Sequence, residues 1–187
     1  MSKSELRRTF RASRASLPLE LVDGWSTAIC ARVNALEQWQ QTEIVHCYVG
    51  ALPGEVQTER LIEGALRDHK RVICPRIRPH GQLDHREVTE LSQLTDSAFG
   101  LREPDPELCP PADPASADIV VVPGIAFSAD GHRLGMGGGY YDRFLSQSES
   151  LRIALVYEMQ LVDTIPRAHH DEPVDLIVTE LRVVKCR

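Results

Sequence analysis

The sequence predicts an α/β fold in which a largely parallel sheet is covered on both faces. Three observations predict it. Residues 43–75 read as strand, helix, strand, the pattern of a parallel pair joined by a crossover helix. Short apolar runs (Asp118–Val122, Arg152–Tyr157, Asp175–Thr179 and Arg182–Lys185) recur between helical stretches and turn segments. The strongest of them, DIVVV at 118–122, opens into a glycine-rich segment that precedes a helix. The 187 residues show no internal repeat, and one domain over residues 1–187 is expected.

Residues 2–15 read as a helix with Leu6 and Phe10 four apart on one face. Leu17-Pro18 breaks it, and Pro18 suits the first turn of a second helix. There Val22, Trp25, Ile29, Val33 and Leu36 recur at steps of three and four, so Trp25 reads as core. Glu43–Val49 is a strand, Thr58 can cap a helix over Glu59–His69, and Arg71–Pro75 is a short buried strand. Residues 76–117 hold half of the 12 prolines and read as a surface excursion, with one strand near Glu87. A last helix is expected over 140–148.

Composition narrows the function classes. Twenty-one Lys and Arg against 27 Asp and Glu give a formal charge of −6, which argues against nucleic acid or an anionic membrane as partner. No apolar run approaches the ~20 residues of a membrane helix. Five scattered cysteines without a C-x-x-C pair fit neither a disulfide scaffold nor a zinc knuckle, so a reducing, cytoplasmic setting is expected. Cys47 and Cys74 read as buried hydrophobes. Lys3, Arg7, Arg8, Arg11 and Arg14 superficially resemble a transit peptide, but Glu5 interrupts the pattern and a basic first helix is the better reading. His169-His170-Asp171 lacks the spacing of a zinc site.

The informative stretch is 122–145. Six of the 12 glycines lie between 124 and 139, directly after the strongest strand. A backbone without Cβ atoms can approach an anion closely, and its free N–H groups can donate to phosphate oxygens. Arg133 adds a fork of donors, while Asp142 suits a magnesium ion that bridges phosphates. The segment is neither a P-loop nor a dinucleotide fingerprint. From its physics alone it is a phosphate cradle or a glycine-rich structural turn.

The string P-G-x-A-F-x-x-x-G-x-R-L-G-x-G-G-G-Y-Y-D-R-F-L at 123–145 resembles the signature of the 5-formyltetrahydrofolate cyclo-ligase family. The resemblance runs nearly end to end, through Lys3-x-x-Leu6-Arg7, Gly54–Thr58, Gly100–Pro104, Asp171–Asp175 and Thr179-Glu180. Ala51 and Ser128 depart from it, where Ser and Asp are usual; the first puts one polar substrate contact in question, the second only a loop cap.

The resemblance implies a three-layer α/β/α sandwich akin to the sugar-phosphate isomerase and CoA-transferase group. It implies ATP-dependent cyclisation of 5-formyltetrahydrofolate to 5,10-methenyltetrahydrofolate, with magnesium as cofactor. ATP and the folate are then the partners, and a monomer is favoured. It further implies that Lys3 and Arg7 contact the ATP phosphates, together with Arg133, Leu134, Gly135, Met136, Gly137, Gly138, Gly139, Tyr140 and Tyr141. Met136 to Tyr140 also face the folate, Gly50 and Glu55 bind it, and Arg133 and Tyr140 act in catalysis. Asp142 and Asp175 hold the metal. By local sequence alone Lys3 and Arg7 read sooner as a solvated basic face, Glu55 as a helix-start acid and Asp175 as a strand-edge or cap carboxylate. Tyr140 and Tyr141 could stack on a ring or pack the loop-helix joint. Two other classes remain open at this level: a non-catalytic binding paralogue, and a different small-molecule kinase or ligase on the same scaffold.

Overall fold

The computed structural model describes residues 2–97 and 100–186. Helix α1 (Lys3–Ala15) starts at a capping box, in which the Ser2 hydroxyl accepts from the Glu5 N–H and the Glu5 carboxylate accepts from the Ser2 N–H. Helix α2 (Leu19–Asn34) follows Pro18, which caps the helix from outside instead of sitting in its first turn. Val22, Ile29 and Val33 form its buried stripe and Trp25 packs on Tyr157, whereas Leu36 lies beyond its end. A short α3 (Glu37–Gln41), unexpected from the sequence, buries Trp39. Strand β1 (Ile44–Cys47), helix α4 (Glu59–Arg67) and strand β2 (Arg71–Arg78) make the expected unit, its strands parallel with Val45 beside Val72.

The 76–117 segment is more regular than expected. Strand β2 continues past Pro75, turns through His80 and Gly81, and returns as β3 (Gln82–Val88). Pro75 is tolerated for a geometric reason. Its partner His85 gives its carbonyl to Ala112, so this antiparallel pair exchanges no hydrogen bonds and the missing N–H faces away from β3. On that side no ladder bond is required of it, because β1 pairs with β2 only as far as Ile73. Strands β4 (Leu94–Asp96) and β5 (Arg102–Pro104) form a separate two-stranded ribbon. Residues 98 and 99 of the excursion lie outside the described residues.

The chain continues through β6 (Ile119–Val122), β7 (Ala126–Ser128), β8 (Arg133–Leu134), helix α5 (Tyr140–Leu145), β9 (Leu151–Leu155), β10 (Leu161–Val162), β11 (Leu176–Val178) and β12 (Val183–Lys185). The main sheet has seven strands in the order β12-β11-β9-β6-β1-β2-β3. The five inner strands are parallel, and β3 and β12 close the edges antiparallel. Strands β10-β7-β8 make a smaller sheet that carries α1 through Leu6, which packs with Ala126, Leu134 and Ile165.

Alternation in the strands divides the core. Val45, Cys47, Val121 and Leu155 meet Ile29 and Val33 of α2 and Leu61 and Ile62 of α4. Val120, Val122, Ala154 and Ile177 meet Leu145 of α5 and Phe127 of the smaller sheet. All four residues of β6 are buried, which is why its sequence is continuously apolar. The thiols of Cys30, Cys47, Cys74 and Cys109 are free and buried. Among the described residues no helix is long and apolar enough to cross a membrane.

The strand order positions the site. From β1 the chain moves to β2 on one side and returns to β6 on the other, so the strand order reverses between β1 and β6. A crevice opens outside the carboxyl ends of such strands, where their outgoing loops diverge.

Candidate active site

A cavity of about 760 Å³ occupies that crevice, with Tyr48 and Val49 leaving β1 and Pro123 and Gly124 leaving β6 in its lining. Of the residues that the sequence nominates, it brings together Lys3, Arg7, Glu55 and the whole run Arg133–Asp142. Gly50 and Asp175 are not in the lining.

The glycine-rich loop connects β8 to α5. Among the described residues the backbone N–H groups of Gly135 to Gly139 donate to no protein acceptor, so they are available to a ligand. Gly139 has φ +66, and a Cβ there would come within 2.8 Å of the Arg143 guanidinium. Helix α5 spans six residues, shorter than the 140–148 expected, so the loop and not a helix dipole provides the donors. Arg7 donates from Nε to the Gly135 carbonyl at 2.8 Å, which holds its guanidinium against the loop. Lys3 reaches the Asp171 carboxylate at 2.5 Å, and Asp171 also accepts from the Ala168 N–H.

Arg133 is 6% exposed and donates to Asp142 Oδ1 at 2.7 Å, while its own Nε is buried without a partner. Burial draws its pKa down and the neighbouring Asp142 opposes this. Asp142 Oδ1 also accepts from the Glu172 N–H, and its Oδ2 makes no hydrogen bond among the described residues. Tyr140 lies under the Arg143 guanidinium, whose carbon is 5.8 Å from the ring centroid. Tyr141 is partly buried and its hydroxyl, itself inaccessible, has no partner among the described residues; burial keeps that phenol far above its ordinary pKa.

Glu55 comes from the loop between β1 and α4. Its carboxylate accepts from the backbone N–H groups of Ala51 (3.3 Å) and Leu52 (3.2 Å) and lies 3.7 Å from Arg14. Burial nevertheless raises its pKa above the usual carboxylate value and outweighs the pull of Arg14 and the two N–H groups. Ala51 supplies only backbone here, which any residue could do. Thr58 does not cap α4: its hydroxyl donates to the Tyr48 carbonyl at 2.6 Å and accepts from the Gly50 N–H at 2.9 Å, closing the base of the loop. Gly50 therefore builds the loop. A Cβ on it would sit 2.0 Å from the Val56 carbonyl oxygen. Ser128 does act as a loop cap, donating to Asp130 Oδ1 at 2.5 Å.

The expected metal role of Asp175 is corrected by topology. It precedes β11, at the amino ends of the parallel strands, opposite to the cavity. Its carboxylate accepts the Arg152 N–H at the start of β9, as Asp118 accepts those of Glu43 and Ile44 at the start of β1. The sequence reading also missed Arg14, Tyr48, Glu103, His170 and Asp171, all of which line the cavity. For Arg14 a signal existed: residues 3, 7 and 14 fall on one helical face.

The model of the 5-formyltetrahydrofolate cyclo-ligase family matches residues 1–180. The chain is 31% identical to the 5-formyltetrahydrofolate cyclo-ligase of Mycolicibacterium smegmatis, over 97% of this chain and 95% of that protein. It is 30% identical to the enzyme of that name from Haemophilus influenzae, over 94% and 97%. The solved structure of a 5,10-methenyltetrahydrofolate synthetase from Aquifex aeolicus superposes with a TM-score of 0.88 at 32% identity, covering all of this chain and 94% of that one. The fold, the glycine loop in its crevice and these full-length likenesses agree, and the chain belongs to the 5-formyltetrahydrofolate cyclo-ligase family.

Proposed function

We propose that the cavity performs the family's ATP-dependent ring closure as follows. Glu55 accepts hydrogen bonds from the 2-amino and ring N–H groups of the pterin. The loop N–H groups, Arg7, Lys3 and Arg133 hold the triphosphate. The γ-phosphoryl group passes to the formyl oxygen, with ADP leaving. This turns a poor electrophile into one with a good leaving group. N10 then attacks the formyl carbon, N10 loses its proton, and the C–O bond breaks to release phosphate and the 5,10-methenyl product. Such a transfer asks the protein for positioning and charge neutralisation instead of a covalent nucleophile.

Magnesium fits the donor set in a limited way. No group of three His, Cys, Asp or Glu side chains that could hold a metal occurs among the described residues. The ion commonly needs only one or two carboxylates when phosphates and waters complete its shell, and Asp142 offers its free Oδ2 beside the loop. Bound there, the ion would neutralise charge on the phosphates. In this reading Arg133 stabilises the transferring group and Tyr140 flanks the two ligands; the ion pair of Arg133 with Asp142 and the presence of both Arg133 and Tyr140 in the cavity lining support it.

The observation that carries this reading is the meeting of a partly buried, backbone-anchored carboxylate and a donor-rich glycine loop in one cavity. Glu55→Gln tests it by calorimetric titration of each ligand. Folate affinity is expected to fall by one to two orders of magnitude with ATP affinity unchanged, because an amide turns N–H groups toward the pterin's own donors. In the wild type, folate affinity should be lost on the acid side above the ordinary carboxylate range, since burial raises the Glu55 pKa. Unchanged folate binding in the variant would remove Glu55 from the site.

A further inference from the structure

Arg14 is a buried charged group of the cavity that the reading above leaves unused. It is 5% exposed, yet among the described residues its side chain makes no hydrogen bond, and its Nε is buried without a partner. Its nearest opposite charge, Glu55 Oε1, lies at 3.7 Å, beyond hydrogen-bond length. A guanidinium carries five N–H donors, and leaving them unpaired in a buried site is costly. Packing nevertheless holds it there. Gly54 (φ +68) brings the Glu55 loop so close to α1 that a Cβ would lie 1.9 Å from the Arg14 carbonyl oxygen. Helix end and loop are thus fixed against one another, with cation and carboxylate side by side on the cavity wall.

A ligand edge that satisfies both groups must present donors next to an acceptor. The pterin edge does so, with its 2-amino group, N3–H and 4-oxo oxygen in sequence. We infer that Arg14 is a specificity-determining residue of the pterin subsite, donating to the 4-oxo oxygen while Glu55 accepts from the two neighbouring donors. This rests on the assignment of Glu55 to the pterin. A 4-amino pteridine would turn an N–H toward the guanidinium and would be rejected, since a site built to donate there leaves its donors unpaired.

The test compares 5-formyltetrahydrofolate with its 4-amino counterpart by calorimetric titration without nucleotide, on wild type, Arg14→Met and Arg14→Lys, each checked for an intact thermal transition. Arg14→Met should lose at least about tenfold more affinity for the 4-oxo ligand than for the 4-amino ligand. Arg14→Lys should recover part of the difference, and should show the same selective loss in smaller measure if the Met variant fails to fold. An equal loss for both ligands would mean that Arg14 only supports Glu55, and would overturn the inference. So would a loss confined to ATP, or no loss at all. Glu55→Gln separates the two levels: if it leaves folate affinity intact, the pterin assignment fails. If it weakens both ligands while Arg14→Met keeps their ratio, only the role of Arg14 fails.

Discussion

Asp142 presents one oxygen to Arg133 and the Glu172 N–H and leaves the other unbonded among the described residues. Asp142→Asn keeps an acceptor for Arg133 and removes the charge that would hold magnesium. The variant should fold normally, lose about a hundredfold in kcat/KM, and need a much higher magnesium concentration for half-maximal rate. Steady-state rates across a magnesium series check this, and an unchanged magnesium dependence would take Asp142 out of the metal site. Which aspartate faces the cavity was not legible in the sequence. Both sit at the start of a regular element, but Asp142 lies in the first turn after the glycine loop and Asp175 just before a strand at the far end of the sheet. Only strand direction tells them apart. Thr58 misled for a related reason: a hydroxyl before a helix usually caps it, and here the loop made a better offer through Tyr48 and Gly50.

At the scale of elements, α1 both lines the cavity and packs into the core. Its charged face lines the cavity through Lys3, Arg7, Arg11 and Arg14, while Leu6 packs beneath with Ala126, Leu134 and Ile165. Removing the first eight residues would therefore take core as well as charge, and substitutions give the cleaner measurement. Lys3→Met and Arg7→Gln should each weaken ATP by about 1–3 kcal/mol, the usual worth of a charge-assisted contact, and leave folate affinity within twofold. Titration of each ligand separately checks it, and equal weakening of both would make the helix structural. The helices and inner strands were legible because their apolar periodicity is strong. The β2–β3 hairpin was not: Pro75 reads as a strand end, and only the end of the β1 pairing at Ile73 shows why the strand can continue. Helix α3 and the two-residue strands β8 and β10 are too short to leave a period.

In the whole molecule, the reversal of strand order between β1 and β6 brings together loops that are some eighty residues apart in the chain, one bearing Glu55 and the other the glycines. Strand order cannot be read from a sequence pattern, so the sequence nominated two half-sites and the fold joined them. In the proposed function the joined half-sites hold a folate and a triphosphate so that one phosphoryl group passes between them, and this transfer is the central claim. It is tested most directly with 5-formyltetrahydrofolate carrying ¹⁸O in the formyl group, turned over with ATP and magnesium, with the released phosphate analysed by mass. The account predicts one labelled phosphate and one ADP for every methenyl product, the product appearing as a new near-ultraviolet band of its conjugated amidinium. Unlabelled phosphate, with the ¹⁸O found in water, would contradict it, as would ADP release that ignores the folate.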